Sequence, residues 1–243
     1  MELHISKDIA ALNTSVVEWL VAFIGETLKK QDRFTIALSG GNTPKKIHEL
    51  LVTDQYKNKI DWSKVHFFWG DERYVPFEDE RNNAKMAYET LLNHINVNPR
   101  HIHVMRTDIP VEESVADYAK ILDEYFGEAN PTQCTFDLVL LGMGDDGHTL
   151  SLFPGQDVVN EQTKEVTSLW LAAQDMYRIT LTAPVVNNSA AVAFIATGDK
   201  KAVVLKEVLY GVYQPNLYPS QVIKPSKGRL HWFIDEDAAK LLK

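Results

Sequence analysis

The order of apolar runs predicts an α/β chain: a single domain over residues 1–243, with a mostly parallel open sheet flanked by helices. Three observations carry this. Residues 34–38 and 138–141 are strand-length and read as buried strands, and 138–141 show no polar alternation, as a strand buried on both faces requires. Stretches with apolar residues at helical spacing stand between such runs. Glycine-rich turns follow the strands, at the ends where open parallel sheets place their ligand crevices.

Taken in order, Ile9, Leu12, Val16, Leu20, Phe23, Ile24 and Leu28 recur at helical spacing, and the strand at 34–38 stops at Gly40-Gly41. Helix resumes over 47–51, and 65–69 is a second strand. Amphipathic helices follow at 82–95 and 112–126, with a short strand near Ile102 between them. Beyond 138–141 come strands at 177–181 and 191–197, a helix from Lys200 to Tyr210, a strand at 230–234 and a closing helix from Asp235. Residues 212–228 carry three prolines and read as a surface loop. No internal repeat, low-complexity run or linker marks a domain boundary.

Composition excludes several function classes. Twenty-five Lys and Arg stand against 33 Asp and Glu, a net charge of -8, so nonspecific attraction to nucleic acid or an anionic membrane is not expected. An anionic substrate therefore needs a local positive site. The single cysteine, Cys134, precludes an intramolecular disulfide and a multi-Cys zinc site, and reads as a packed small residue. No leader pattern opens the chain and no apolar run is expected to span a membrane, so the expected location is cytoplasmic. The expected assembly is a monomer or weak homo-oligomer. His101 and His103 share a strand face, but no carboxylate or third histidine lies at ligand spacing, so no metal is expected there.

Four motifs carry chemistry. Ser39-Gly40-Gly41-Asn42-Thr43-Pro44 joins a strand to a helix: its glycines free backbone amides to point inward, Thr43 can cap the helix and Pro44 suits its first position. Such a turn can cradle a phosphate at a helix N-terminus, although it lacks Walker and Gly-x-Gly-x-x-Gly spacing and equally fits a turn that binds nothing. Asp71 and Arg73, in Trp-Gly-Asp-Glu-Arg, stand at a strand end, where a carboxylate can accept a hydroxyl or proton and a guanidinium can grip an anion. The same triplet of charges also fits a solvated loop. In Gly142-Met-Gly-Asp-Asp-Gly-His148, the imidazole is a candidate general base and Asp146 can hold its tautomer or touch the substrate, unless the two merely cap a helix. Arg178 and Lys201 can complete an anion site if the fold brings them there; each alone also fits a surface charge.

Together these residues resemble a family. Ser-Gly-Gly-Asn-Thr-Pro, Trp-Gly-Asp-Glu-Arg-Tyr-Val-Pro, Leu-Gly-Met-Gly-Asp-Asp-Gly-His-Thr-Leu-Ser-Leu-Phe-Pro-Gly, Arg-Ile-Thr-Leu-Thr and Gly-Asp-Lys-Lys-Ala occur in the order and spacing of 6-phosphogluconolactonases, over nearly the whole chain. The resemblance implies the fold shared with glucosamine-6-phosphate deaminase and ribose-5-phosphate isomerase. It also implies hydrolysis of a small sugar-phosphate lactone, 6-phospho-D-glucono-1,5-lactone, in the pentose phosphate pathway with no metal or organic cofactor. Carried over position by position, Ser39, Gly40, Gly41, Asn42 and Thr43 are the phosphate loop, helped by Arg178 and Lys201. His148 is the general base, and Asp71, Arg73 and Asp146 line the sugar end.

Two departures stand out. Asn82-Asn83 replaces the usual Ser-Asn, and Leu150 replaces the usual Ala after His-Thr. An amino-sugar deaminase is the closest rival, but that family reads Asp-Glu-Tyr where this chain has Asp71-Glu72-Arg73, and carries Phe-Asn-Glu-Pro where this chain has Ser151-Leu-Phe-Pro154. A non-catalytic sugar-phosphate sensor is the alternative from another class; it needs an attached DNA-binding helix-turn-helix, and the N-terminal region offers a single long amphipathic helix.

Overall fold

The computed structural model describes residues 1–127 and 135–242, so Cys134 lies outside the described residues. In chain order the elements are β1 (Glu2–Ser6), α1 (Ile9–Leu28), β2 (Phe34–Leu38), α2 (Asn42–Leu51), β3 (Val65–Trp69), β4 (Asp71–Arg73), α3 (Asn83–Thr90) and α4 (Val111–Phe126). There follow β5 (Leu138–Gly142), β6 (Val166–Leu171), β7 (Met176–Leu181), α5 (Ala183–Asn187), β8 (Ala191–Ala196), α6 (Ala202–Tyr210), β9 (Arg229–Asp235) and α7 (Glu236–Ala239).

Six strands form a wholly parallel sheet in the order β1-β9-β8-β5-β2-β3. Its two faces explain the missing alternation. Ile36, Leu38, Leu138 and Leu140 pack into one apolar cluster with α1 and α2, while Ala37, Val139 and Leu141 pack into the other with α4 and α6. Both faces are dry, so Leu138 to Leu141 of β5 are apolar throughout, and the one polar residue of β2, Thr35, is buried with its hydroxyl donating to Asp137 at 2.9 Å.

A second sheet, antiparallel in the order β4-β7-β6, packs its Ile179, Leu181 and Val166 into the same cluster as Phe194 and Trp232 of the main sheet. Of its members the sequence predicts only β7, as the strand at 177–181. Residues 166–171 carry no clean period, and the charged triplet of β4 becomes a strand because Asp71, Glu72 and Arg73 pair with Thr180, Ile179 and Arg178 of β7. The strand at 177–181 thus belongs to this smaller sheet rather than to the parallel one. Strand β1 went unread as well, being short and largely exposed at the sheet edge.

Other boundaries moved for local reasons. Helix α2 begins at Asn42, with Gly41 at its N-cap in the left-handed region (φ 111°), so Thr43 makes no cap hydrogen bond and Pro44 is the third helical residue. The proline still costs nothing, because no amide of the first turn has an intrahelical partner. Asn82 caps α3 by accepting from the Lys85 amide at 2.9 Å, and that helix ends at Thr90 rather than at residue 95. The strand expected near Ile102 is a single bridge to Phe67. Helix α1, capped by Asp8, is long and apolar enough to cross a membrane by length and composition, contrary to the sequence expectation. In this fold its Leu12, Val16, Val17, Leu20 and Ile24 instead bury against the sheet.

The chain leaves β2 toward β3 on one side and later returns to β5 on the other. Connections from β2 and β5 therefore diverge, opening a crevice at their carboxyl ends, which is the switch-point geometry of open α/β sheets. The two glycine-rich motifs flank that crevice.

Candidate active site

The turn after β5 is built around its imidazole. Gly144 donates its amide to the His148 carbonyl at 2.8 Å, and Gly147 takes φ 81° to close the loop. Asp146 Oδ1 accepts from the His148 amide at 3.1 Å and lies 2.6 Å from His148 Nδ1. A Cβ on Gly144 would stand 2.1 Å from that Nδ1, so only glycine lets ring and carboxylate close over the backbone. Partial burial raises the Asp146 pKa, but the hydrogen bonds and charge of His148 outweigh it and hold the carboxyl below the usual range. An ionised carboxylate only accepts, so Nδ1 carries a proton and, in the neutral ring, Nε2 is the nitrogen with the free lone pair. Phe153 supports the ring at 4.3 Å between centroids.

Part of the 212–228 loop is buried and braces this turn. The Ser220 amide and hydroxyl both donate to the Gly147 carbonyl, at 2.9 and 2.8 Å. Gln221 pins the loop by donating to the carbonyls of Glu207 and Val212.

Across the crevice, β4 directs its side chains alternately. Asp71 is buried and accepts from Arg178 Nη2 and from Ser151 Oγ, each at 2.6 Å. Burial works against its charge, yet Arg178, Arg73 and the Ser151 hydroxyl keep its pKa lowered. Arg73 donates from Nη1 to Asn83 Oδ1 at 2.5 Å and to the Arg81 carbonyl at 3.1 Å. Between them Glu72 is fully buried, accepting from the amides of Arg73, Asn83 and Ala84 at 2.7–2.8 Å. Its carboxylate thus ties the backbone of Arg73 to the start of α3. Asn83 completes the clasp by donating to the Asp71 carbonyl at 2.9 Å.

Glu72, Asn83 and Ser151 were not singled out by the sequence as site residues. The one available signal was Glu72 inside a charged triplet on an apolar strand end, where a residue that cannot be solvated must be bonded.

Six of the expected residues meet at one cavity of ≈ 160 Å³: Ser39, Gly40, Asp71, Arg73, His148 and Arg178, with Asn83 and Leu150 also on its wall. Gly41 and Asn42 line a neighbouring cleft of ≈ 660 Å³, and Arg73 borders both. Asp146, Thr43 and Lys201 line neither. Lys201 pairs with Asp145 at 2.6 Å, beside the histidine turn. Ser39 donates to the Leu140 carbonyl at 2.8 Å. A Cβ on Gly40 would fall 1.7 Å from Asn83 Oδ1, so this glycine makes room for the residue that holds Arg73. Leu150, in the left-handed region at φ 54°, packs against Gly70, where a Cβ would lie 2.6 Å from its Cδ2.

Residues 7–232 match the family model described as glucosamine-6-phosphate isomerases/6-phosphogluconolactonase. The chain belongs to this family. Among its relatives, a 6-phosphogluconolactonase of Nostoc sp. is 35% identical over 238 residues, covering 97% of this chain and 96% of the relative. A probable 6-phosphogluconolactonase of Arabidopsis thaliana is 32% identical over 99% of this chain and 93% of its own. The crystal structure of the Thermotoga maritima 6-phosphogluconolactonase superposes with a TM-score of 0.83 at 27% identity, covering 96% of this chain and 99% of that one. A monomeric glucosamine-6-phosphate deaminase, 17% identical, shares the fold with a TM-score of 0.83. The family's α/β architecture is therefore the one seen here, in agreement with the fold class expected from the sequence.

Proposed function

We propose that this member of the family hydrolyses 6-phospho-D-glucono-1,5-lactone to 6-phospho-D-gluconate, using His148 as general base. The observation that carries the mechanism is His148, on the wall of a cavity that also holds two guanidinium groups and bonded from behind to Asp146 at 2.6 Å. Asp146 fixes the tautomer in which Nε2 accepts a proton, and His148 removes that proton from water as its oxygen attacks C1 of the lactone. Negative charge then develops on the former carbonyl oxygen. Arg73, held in place by Asn83 and Glu72, supplies charge to stabilise it. Collapse breaks the bond from C1 to the ring oxygen, which takes the proton back from His148.

The phosphate docks at the turn of Ser39, Gly40, Gly41, Asn42 and Thr43, where the first amides of α2 point outward without intrahelical partners. Arg178 adds positive charge while paired to Asp71, and Lys201 supports the opposite lip through Asp145. The substrate is thus small, phosphorylated and uncharged at its reacting carbon. A sugar-phosphate lactone as the sole small-molecule partner, cytoplasmic residence and a monomer or weak homo-oligomer complete the proposal.

The test is a coupled assay. Lactone generated in place from glucose-6-phosphate by its dehydrogenase should disappear faster with this protein than by spontaneous hydrolysis; an unchanged rate would overturn the reading.

A further inference from the structure

At the far edge of the main sheet, separated from β5 by β8 and β9, the strand pair β1–β9 brings three potential ligands together. Glu2 lies opposite His231 in the parallel register, and His4 follows two residues along the same face of β1. His4 Nε2 stands 3.2 Å from His231 Nδ1, and that nitrogen stands 3.5 Å from Glu2 Oε2. All three ligand atoms lie within 4.8 Å of one another, the only such group of histidines and carboxylates among the described residues. We propose that Glu2, His4 and His231 form a site for a divalent first-row cation of the zinc type, clipping the edge strand to the sheet.

The distances fit the metal. With bonds of about 2.0–2.2 Å, neighbouring ligands of a tetrahedral zinc ion stand about 3.3–3.6 Å apart. Two of the three edges already have nearly this length, and the third closes by rotation of the exposed Glu2 side chain. Water completes the fourth position, as in zinc sites with three protein ligands. The rings are also preorganised: His4 stacks on Phe233 at 4.3 Å between centroids and Trp19 packs on His231 at 4.9 Å.

Protons satisfy this arrangement poorly. His231 is buried, and its Nε2 has no hydrogen-bond partner, so Nδ1 carries all of its polar contacts. One ring hydrogen cannot serve both the His4 nitrogen and the Glu2 oxygen, whereas a cation accepts all three lone pairs together. The second histidine cluster offers no such convergence: His66 and His101 stack face to face at 3.7 Å, and His66 and His103 lie 6.5 Å apart.

Because the site lies on the edge strands, with β8 between them and β5, its role is structural and separable from hydrolysis. Metal-free protein would be titrated with zinc chloride by calorimetry and, in parallel, with cobalt(II) by visible absorption. One equivalent should bind, zinc should raise Tm, and cobalt should give tetrahedral bands. His4→Gln should weaken binding by about 100-fold or more, beyond the roughly 10- to 100-fold cost of losing an outer-shell partner. Glu2→Gln, at an exposed position, should weaken it by about tenfold and decides the matter if His4→Gln folds poorly. Both variants should keep wild-type lactone hydrolysis. Absence of zinc binding, or affinity unchanged in both variants, overturns the proposal.

Discussion

His148 is bonded through Nδ1 to Asp146 at 2.6 Å, and this contact separates the roles of the two aspartates that the sequence left equivalent. Asp71 is committed elsewhere, accepting from Arg178 and Ser151 at 2.6 Å each. One carboxylate therefore pairs with the imidazole of His148 and the other with the guanidinium of Arg178.

If His148 takes the proton from water, His148→Ala should lower kcat by about 10²- to 10⁴-fold with little change in Tm. The side chain is partly exposed and its removal leaves no large cavity. Near-wild-type kcat on freshly made lactone would reject the assignment.

Asp146→Asn keeps a similar shape but no longer imposes the tautomer with Nε2 unprotonated. Its kcat should fall by a smaller factor than that of His148→Ala, on the order of tenfold or more, while KM holds. The pH–rate profile of this variant, compared with wild type, checks whether the loss follows the protonation of the base.

Arg178→Ala should raise KM and also destabilise the fold. It leaves the Asp71 carboxylate buried without its cation, and breaking a buried pair typically costs about 3–5 kcal/mol. Urea unfolding separates the two effects: a variant with raised KM and unchanged stability would contradict the ion pair.

Gly40→Ala tests the route from the phosphate loop to Arg73. The added methyl would meet Asn83 Oδ1 at 1.7 Å, so Asn83 must shift and release the guanidinium. Overpacking of this kind costs about 1–3 kcal/mol, and kcat/KM should fall with it. A Gly40→Ala enzyme with wild-type kcat/KM would show that the clasp is dispensable.

His48 predicts an acid limb in stability. It is fully buried on the inner face of α2, bonded to Thr90 at 3.1 Å, and burial depresses its pKa to about 4 from 6.5, Glu49 opposing. Between those values the unfolded chain binds the extra proton, so stability falls as pH drops from about 6.5 through 4, by up to roughly 3 kcal/mol. His66 and His103, also lowered to about 4, add to the same slope. His48→Gln should flatten the limb when unfolding free energies are compared across that range; an identical slope would exclude His48 as its source.

Much of the site was legible because the chemistry demands short, unusual runs. Gly-x-Gly-Asp-Asp-Gly-His places an imidazole and a carboxylate two residues apart, and local backbone geometry alone brings Asp146 to His148. The doubly buried strands were equally plain, since Thr35 is the one polar side chain in 34–38 and 138–141. Composition and pattern thus determined the α/β class, the main strands and the motifs that flank the crevice.

Tertiary structure decided what depends on partners far away in the chain. Asp71 and Arg178 are 107 residues apart, and only the β4–β7 pairing makes them neighbours. Glu72 became a brace for Arg73 because α3 starts against it, and Ser220 a brace for the histidine turn because its loop folds back onto Gly147. Hydrophobic periodicity reports which face of a segment is dry, but it carries no record of which distant polar group will satisfy a buried carboxylate.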